Sequence, residues 1–309
     1  MTPLPPSHRA VQQRPTSALE TRLSTAYPPG VQELLDWTHH RSLGEAALLS
    51  LLANVAVFAA ALAFGALVAR VFATRRVAEI PAALSRHEVV LATLCVLLNS
   101  VVMFAGWLLF REGVLVVDGG PLGVRWLLDA VVLGIVMDLA MYVTHRLAHV
   151  EPFYRWVHGI HHRYEHPRPL TLFVLHPIEV LGFGGLWIAV LCTHAFSLGG
   201  MLLYLAANTL FGMLGHVGVE PLPDGWARWP GARRIGTSTF HTRHHQYRTT
   251  NFGFYTAVWD RLFGTLDPAY EETFARLPGP KDARSPNAAA PALLAARRGE
   301  QRGSERQPR

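Results

Sequence analysis

Twelve of the sixteen histidines in this 309-residue chain fall between positions 145 and 245. Eight of them form three compact boxes: His145-x-x-x-His149, His158-x-x-His161-His162 and His241-x-x-His244-His245. The second and third boxes repeat one pattern, HGIHH and HTRHH. Residues three or four apart share a face of an α-helix, so helical boxes would each aim their imidazoles at one point. Neutral imidazole is a strong ligand for zinc, copper, iron and nickel. Eight imidazoles exceed what one ion needs. Two neighbouring ions, each holding several histidines and leaving open positions, account for the number with the fewest assumptions. A histidine-rich solvated tract would lack the helical spacing and the interleaved apolar residues.

Two further histidines are candidates. His216 closes the apolar stretch NTLFGMLGHVGVE, where an ionisable group at the end of a span marks a functional site. His176, in LHPIEV, is expected either to ligate or to hydrogen-bond a ligand, with Glu179 on the same turn. His166 and His194 read as loop and interfacial residues. Asp138 stands about two helical turns before His145, on the same face, and is expected to accept the free ring N–H of a ligand histidine. Asp129 lies on another face and reads as a polar contact near the outer end of its span.

The elements that must position these groups are membrane helices. Half of the chain is hydrophobic and only 16% is charged, a composition typical of membrane proteins. Residues 46–69, 89–110 and 126–143 are each apolar runs long enough to cross a bilayer, and 170–217 suffices for two crossings or a shallower hairpin. The net charge of +6 comes from arginines beside these spans and in the tail, which points to membrane flanks rather than nucleic acid. Cys95 and Cys192 lie inside apolar spans and read as packing residues. No signal peptide is evident, because the first apolar run is too long for a cleavable one.

The predicted fold class is therefore all-α: an integral membrane helical bundle of four to five spans, or three plus a hairpin, capped by a cytoplasmic histidine-rich helical region. The expected organisation is a flexible, Pro-rich lead over 1–45 with a short interfacial helix near Trp37, a first transmembrane helix and basic link over 46–88, a catalytic domain over 89–270, and a disordered tail over 271–309. The link between the first two spans carries Arg70, Arg75, Arg76 and Arg86 against Glu79, which places it in the cytoplasm. Counting crossings onward brings both histidine pentads to that same side. The Ala- and Arg-rich composition suggests a bacterial inner membrane, with a eukaryotic endoplasmic reticulum as the alternative.

Over roughly residues 90 to 270 the chain resembles the fatty acid hydroxylase and sterol desaturase superfamily, membrane non-haem di-iron oxygenases with HxxxH, HxxHH and HxxHH boxes. The stretch HTRHHQYRTTNFGFYTAVWDRLFGT, with Asn251, Gly253, Trp259, Asp260, Arg261, Phe263 and Gly264, is similar to that family's C-terminal signature. The resemblance implies that the metal is iron, two ions per chain, with zinc a possible occupant in a purified sample and O2 as cosubstrate. It assigns ligand roles to His145, His149, His158, His161, His162, His241, His244 and His245, and matches His216 to an additional histidine of the last apolar hairpin. Some members carry a further histidine four residues earlier, where this chain has Gly212; His176 or water would then complete the set. The implied reaction is hydroxylation or desaturation of a C–H bond in a bilayer lipid such as a fatty acyl chain or sterol.

No Cys-rich iron–sulfur pattern or Gly-rich dinucleotide loop occurs in the sequence. Electrons must then come from a reductase, ferredoxin or cytochrome, and Arg155, Arg163 and Arg168 are candidates to dock an acidic donor. Competing readings are a membrane zinc hydrolase, a histidine-rich metal-binding or transport protein, and a bis-histidine haem protein. HRLAH lacks the glutamate of HExxH, so no general base is built into that box. Transport would place histidines within the spans rather than beyond their ends. A haem would not require eight ligands in three boxes.

Overall fold

The computed structural model describes residues 29–120 and 123–277. The lead before residue 29 and most of the expected tail lie outside the described residues. The fold is mostly helical. Helix α1 (Pro29–His39) contains Trp37 and precedes α2 (Leu43–Val71), α3 (Arg86–Arg111) and α4 (Val124–Ala148). These last three correspond to the apolar runs 46–69, 89–110 and 126–143. After the short α5 (Phe153–Trp156) come α6 (Pro177–Leu191) and α7 (Leu198–His216). The cap is completed by α8 (Ser238–Gln246), α9 (Val258–Phe263) and α10 (Tyr270–Ala275). Helix α10 occupies the first residues of the segment expected as tail, because Tyr270 and Phe274 are buried against Ala227, Phe240 and Ala257.

Four helices, α2, α3, α4 and α7, are long and apolar enough to cross a membrane. At 1.5 Å per residue even the 19 residues of α7 reach about 28 Å, close to a hydrocarbon core of about 30 Å. The 15 residues of α6 reach only about 22 Å. Residues 170–217 therefore form a hairpin with one short and one long arm. The outward faces stay apolar, as Leu127, Leu128, Val131, Val132 and Ile135 on α4 are all exposed, which suits a lipid solvent rather than water.

Both long N-terminal helices start at capping boxes. Ser42 Oγ accepts from the Glu45 N–H at 3.3 Å while Glu45 returns to the Ser42 N–H at 2.8 Å; Ser85 and Glu88 repeat the arrangement before α3. Each box satisfies amides that a helix start leaves without partners. Helices α4 and α7 pack closely, with Leu133, Met137, Met141 and Tyr204 at the centre of the core. A Cβ at Gly200 would stand 2.5 Å from the Asp129 Cβ, so only glycine lets the two backbones approach there. At the far end, β1 (Val117–Asp118) pairs in parallel with β2 (Phe196–Ser197), and Asp129 accepts the Ser197 N–H at 2.7 Å.

Opposite that end, the link after α2 folds onto the chain following α7. Arg75 is buried rather than flanking the membrane: its Nε donates to the Glu220 carbonyl at 3.0 Å, its Nη2 to Leu222 O at 2.9 Å, and it pairs with Asp224. Arg168 is likewise committed, to Glu88 at 3.3 Å. The end of α2, the start of α3, the ends of α4 and α7 and residues 218–277 thus gather at one end of the bundle.

Candidate metal centre

Nine histidines converge at that end in two adjoining groups. His145, His149, His158, His162 and His244 form the first; His161, His216, His241 and His245 form the second. Within each group one ring nitrogen per residue lies within 4.8 Å of all the others. The groups meet where His162 and His245 stack with ring centroids 4.9 Å apart.

The boxes do not each serve one point. HGIHH lies on a 3-10 helix, His158–Arg163, and HTRHH on α8. In each pentad the residues four apart share a group, His158 with His162 and His241 with His245, and the remaining histidine crosses to the other. His145 and His149 come from the last turn and cap of α4, His216 from the last residue of α7.

The second ring nitrogen identifies the tautomers. Nδ1–H of His145 donates to Phe252 O at 2.8 Å, that of His161 to Val174 O at 3.1 Å, that of His216 to Gly212 O at 2.7 Å and that of His244 to Thr250 O at 2.7 Å. A carbonyl only accepts, so in these four rings the proton sits on Nδ1 and Nε2 presents a bare lone pair. His158 Nδ1 donates to Glu179 Oε1 at 2.5 Å. Yet His145 Nε2 stands 3.1 Å from His158 Nε2, and His216 Nε2 stands 3.3 Å from His161 Nε2. Facing lone pairs without a proton between them repel. A cation between them turns that repulsion into coordination, so the donor set fits a metal in both groups.

Burial, reinforced by neighbouring imidazoles, also holds these rings neutral. It lowers His158 to about 4 and His161 to about 3, and takes His149, His162, His241, His244 and His245 well below the ordinary histidine range. Both nitrogens of His245 are buried with no hydrogen-bond partner, a cost that a ligand would remove.

Two expectations are corrected. His176 joins neither group: it caps α6, where its Nδ1 accepts the Ile178 N–H at 3.2 Å. Asp138 touches no histidine. It accepts from the amides of Tyr255 and Thr256 at 3.1 and 3.2 Å, from the Thr256 hydroxyl at 2.5 Å and from Trp259 Nε1 at 3.0 Å. The carboxylate therefore anchors the C-terminal signature to α4.

That signature works through the backbone. Asp260, fully buried, accepts the amides of Phe252 and Gly253 at 2.8 and 2.7 Å and so aims the Phe252 carbonyl at His145. Asn251, at φ 59°, donates to Phe240 O at 3.0 Å and accepts from Asp267 N at 2.8 Å. Glu220, also fully buried and pushed up by burial, accepts the Thr239 amide and hydroxyl at 2.9 and 2.7 Å, tying the start of α8 to the end of α7. The carbonyls of Gly212, Val174, Thr250 and Phe252 were not foreseeable by residue type, since every residue has one. Glu220 was missed, and an acid just after an apolar span was its only signal.

Residues 130–265 match the family model described as Fatty acid hydroxylase. The chain is 30% identical over 139 residues to a Delta(7)-sterol 5(6)-desaturase of Aspergillus fumigatus, covering 45% of this chain and 37% of that one. It is 31% identical over 147 residues to the C-4 methylsterol oxidase of Schizosaccharomyces pombe (45% and 47%), and 32% identical over 137 residues to a very-long-chain aldehyde decarbonylase of Oryza sativa (42% and 49%). The match thus spans between about a third and half the length of these relatives. No solved structure matches the fold. The matched segment contains all nine converging histidines and the carbonyls that orient them, and it is through this segment that the chain resembles the fatty acid hydroxylase family and these sterol desaturases and oxidases.

Proposed function

We propose that this protein is a membrane-bound non-haem di-iron oxygenase that hydroxylates or desaturates a C–H bond of a lipid, using O2 and electrons from an external reductase, ferredoxin or cytochrome. The observation that carries the reading is the pair of adjoining imidazole groups whose bare Nε2 atoms face one another. His145, His149, His158, His162 and His244 would hold one ion, and His161, His216, His241 and His245 the other. Two iron ions would supply the O2 activation and hydrogen abstraction that no side chain can perform.

The residues of the chain do the rest. Buried, neutral imidazoles keep ligand nitrogens available down to acid pH, and the carbonyl acceptors fix each ring's direction. Eight of the nine rings are buried, which restricts the access of water to them. Its position at the ends of α4 and α7 lets a lipid approach from the bilayer without leaving the apolar phase. The relatives' printed activities on sterols and long-chain aldehydes support an apolar substrate. The remaining arginines of the link, Arg70, Arg76 and Arg86, and the boxes at the same end favour the cytoplasmic face, and the Ala- and Arg-rich composition favours a bacterial inner membrane. Arg155, stacked over Trp156 at 5.2 Å, and Arg163 are the arginines left to meet an acidic donor, since Arg168 is paired with Glu88.

The test combines composition and chemistry. Purified protein should contain close to two iron ions per chain, and reduced protein should consume O2 when lipid is added. Lipidomics of cells carrying the wild type against His161→Ala or His244→Ala should show a gain of one oxygen or a loss of two hydrogens. Metal content well below two, or identical lipidomes, would reject the reading.

A further inference from the structure

A cavity of about 340 Å³ opens beside the first histidine group, lined by Arg146, His149, Glu151, Tyr154, Arg248 and Phe252 among others. Of the nine histidines it is lined by His149: the Tyr154 ring lies 5.3 Å from that of His149, and Phe252 lies 5.1 Å from it. Two guanidinium groups flank it. Arg146 donates to the Tyr142 hydroxyl at 3.3 Å, and the Arg248 guanidinium lies 4.7 Å over the Tyr154 ring. Among the described residues neither meets a carboxylate, although Glu151 shares the same wall. Two cations against one anion leave the cavity positive. Phenol and ring contacts hold both forks in place without using up their donors.

The rim is apolar. Val150, which lines the cavity, is exposed, and so are its chain neighbours Leu147, Phe153 and Trp156. A free anion would have no use for such a rim, whereas the tail of an amphiphile would.

We propose that this cavity binds the head group of an anionic single-chain lipid, a carboxylate or phosphate held by Arg146 and Arg248, with its chain leaving over the apolar rim. The role of that lipid as substrate rests on the oxygenase reading, but its binding does not. Guanidinium forks match carboxylate and phosphate oxygens two at a time.

The test uses the full chain, stripped of metal, in phosphatidylcholine nanodiscs, with empty nanodiscs as the reference. Equilibrium dialysis would compare laurate with methyl laurate, and dodecyl phosphate with inorganic phosphate as competitors. Laurate should bind at least about tenfold more tightly than its ester, the worth of one charged hydrogen bond. Arg146→Gln with Arg248→Gln should abolish that preference, and Glu151→Gln should strengthen laurate binding severalfold. Arg248→Gln alone, whose guanidinium stacks on Tyr154, should already lower the preference should the double variant fail to fold. Equal binding of acid and ester, or a preference that survives removal of Arg248, would overturn the proposal; so would displacement by inorganic phosphate as effective as by dodecyl phosphate. Because no metal is present, failure here leaves the oxygenase reading untouched, and failure of that reading leaves this binding measurable.

Discussion

Glu179→Gln separates the two metal groups by a change of one atom. Glu179 lies on the first turn of α6 and is buried. Its Oε1 accepts the His158 Nδ1–H at 2.5 Å and its Oε2 the His176 N–H at 3.2 Å. Glutamine keeps the shape and can keep one acceptor, but the bond to His158 is no longer charge-assisted. Charged hydrogen bonds contribute about 1.5–3 kcal/mol and neutral ones about 1, so the loss is of order 1–2 kcal/mol. Expressed as affinity, that is about tenfold, the lower end of the 10- to 100-fold usual for an outer partner of a metal-bound histidine. His158 belongs to the first group only. Titrating a chelator into iron- or zinc-loaded protein while measuring bound metal per chain should therefore show one ion leaving at about tenfold lower chelator than in the wild type. The other should leave where it did before. Parallel loss of both ions, or a wild-type curve, would refute the assignment of His158 to a single group and the orienting role of Glu179.

Other perturbations probe the scaffold and the protons. Asp138→Ala strips acceptors from two amides, a hydroxyl and the Trp259 indole, and should destabilise the protein by about 3–5 kcal/mol, read as a lower melting temperature in detergent. Metal-free protein should lose stability as pH falls below about 6.5, because the unfolded chain protonates its histidines there while folded His158 and His161 stay neutral down to about 4 and about 3. The unfolded state binds more protons in this window, so stability rises with pH; chemical unfolding at pH 7 and pH 5 should differ by about 2 kcal/mol for each such histidine. Gly215→Ala would bring a Cβ to 3.2 Å from His241 Cδ2 and should weaken metal retention in the second group severalfold while sparing the first, by the same chelator titration.

The spacing of the boxes points to eight of the nine residues that converge, and the place of His216 at the end of an apolar run to the ninth, because imidazole is rare and its positions are read directly from the chain. It could not show how they divide. His161 and His244 part from their neighbours because backbone direction at the 3-10 helix and at α8 decides where each ring points, and that direction is set by contacts far along the chain, such as Glu220 with Thr239. Asp138 was misassigned for a related reason. Its helical phase with His145 was read correctly, but the competing donors, the amides and indole of residues 255–259, lie over a hundred positions away. His176 stood beside Glu179 in sequence, yet the N-terminus of α6 claims its lone pair. Three spans were legible as unbroken apolar runs; for 170–217 two crossings or a hairpin stayed open, because length alone does not say that α6 stops at 15 residues while α7 runs to 19.

The crossing of the pentads means that either ion, bound alone, would still stitch residues near 160 to residues near 243. Loss of one would leave the intervening loop of some eighty residues closed by the other, and with it the seat into which a replacement ion could return. With two ions bound, metal exchange at this centre would be separated from unfolding, so that the site could empty by halves and stay ready to be refilled.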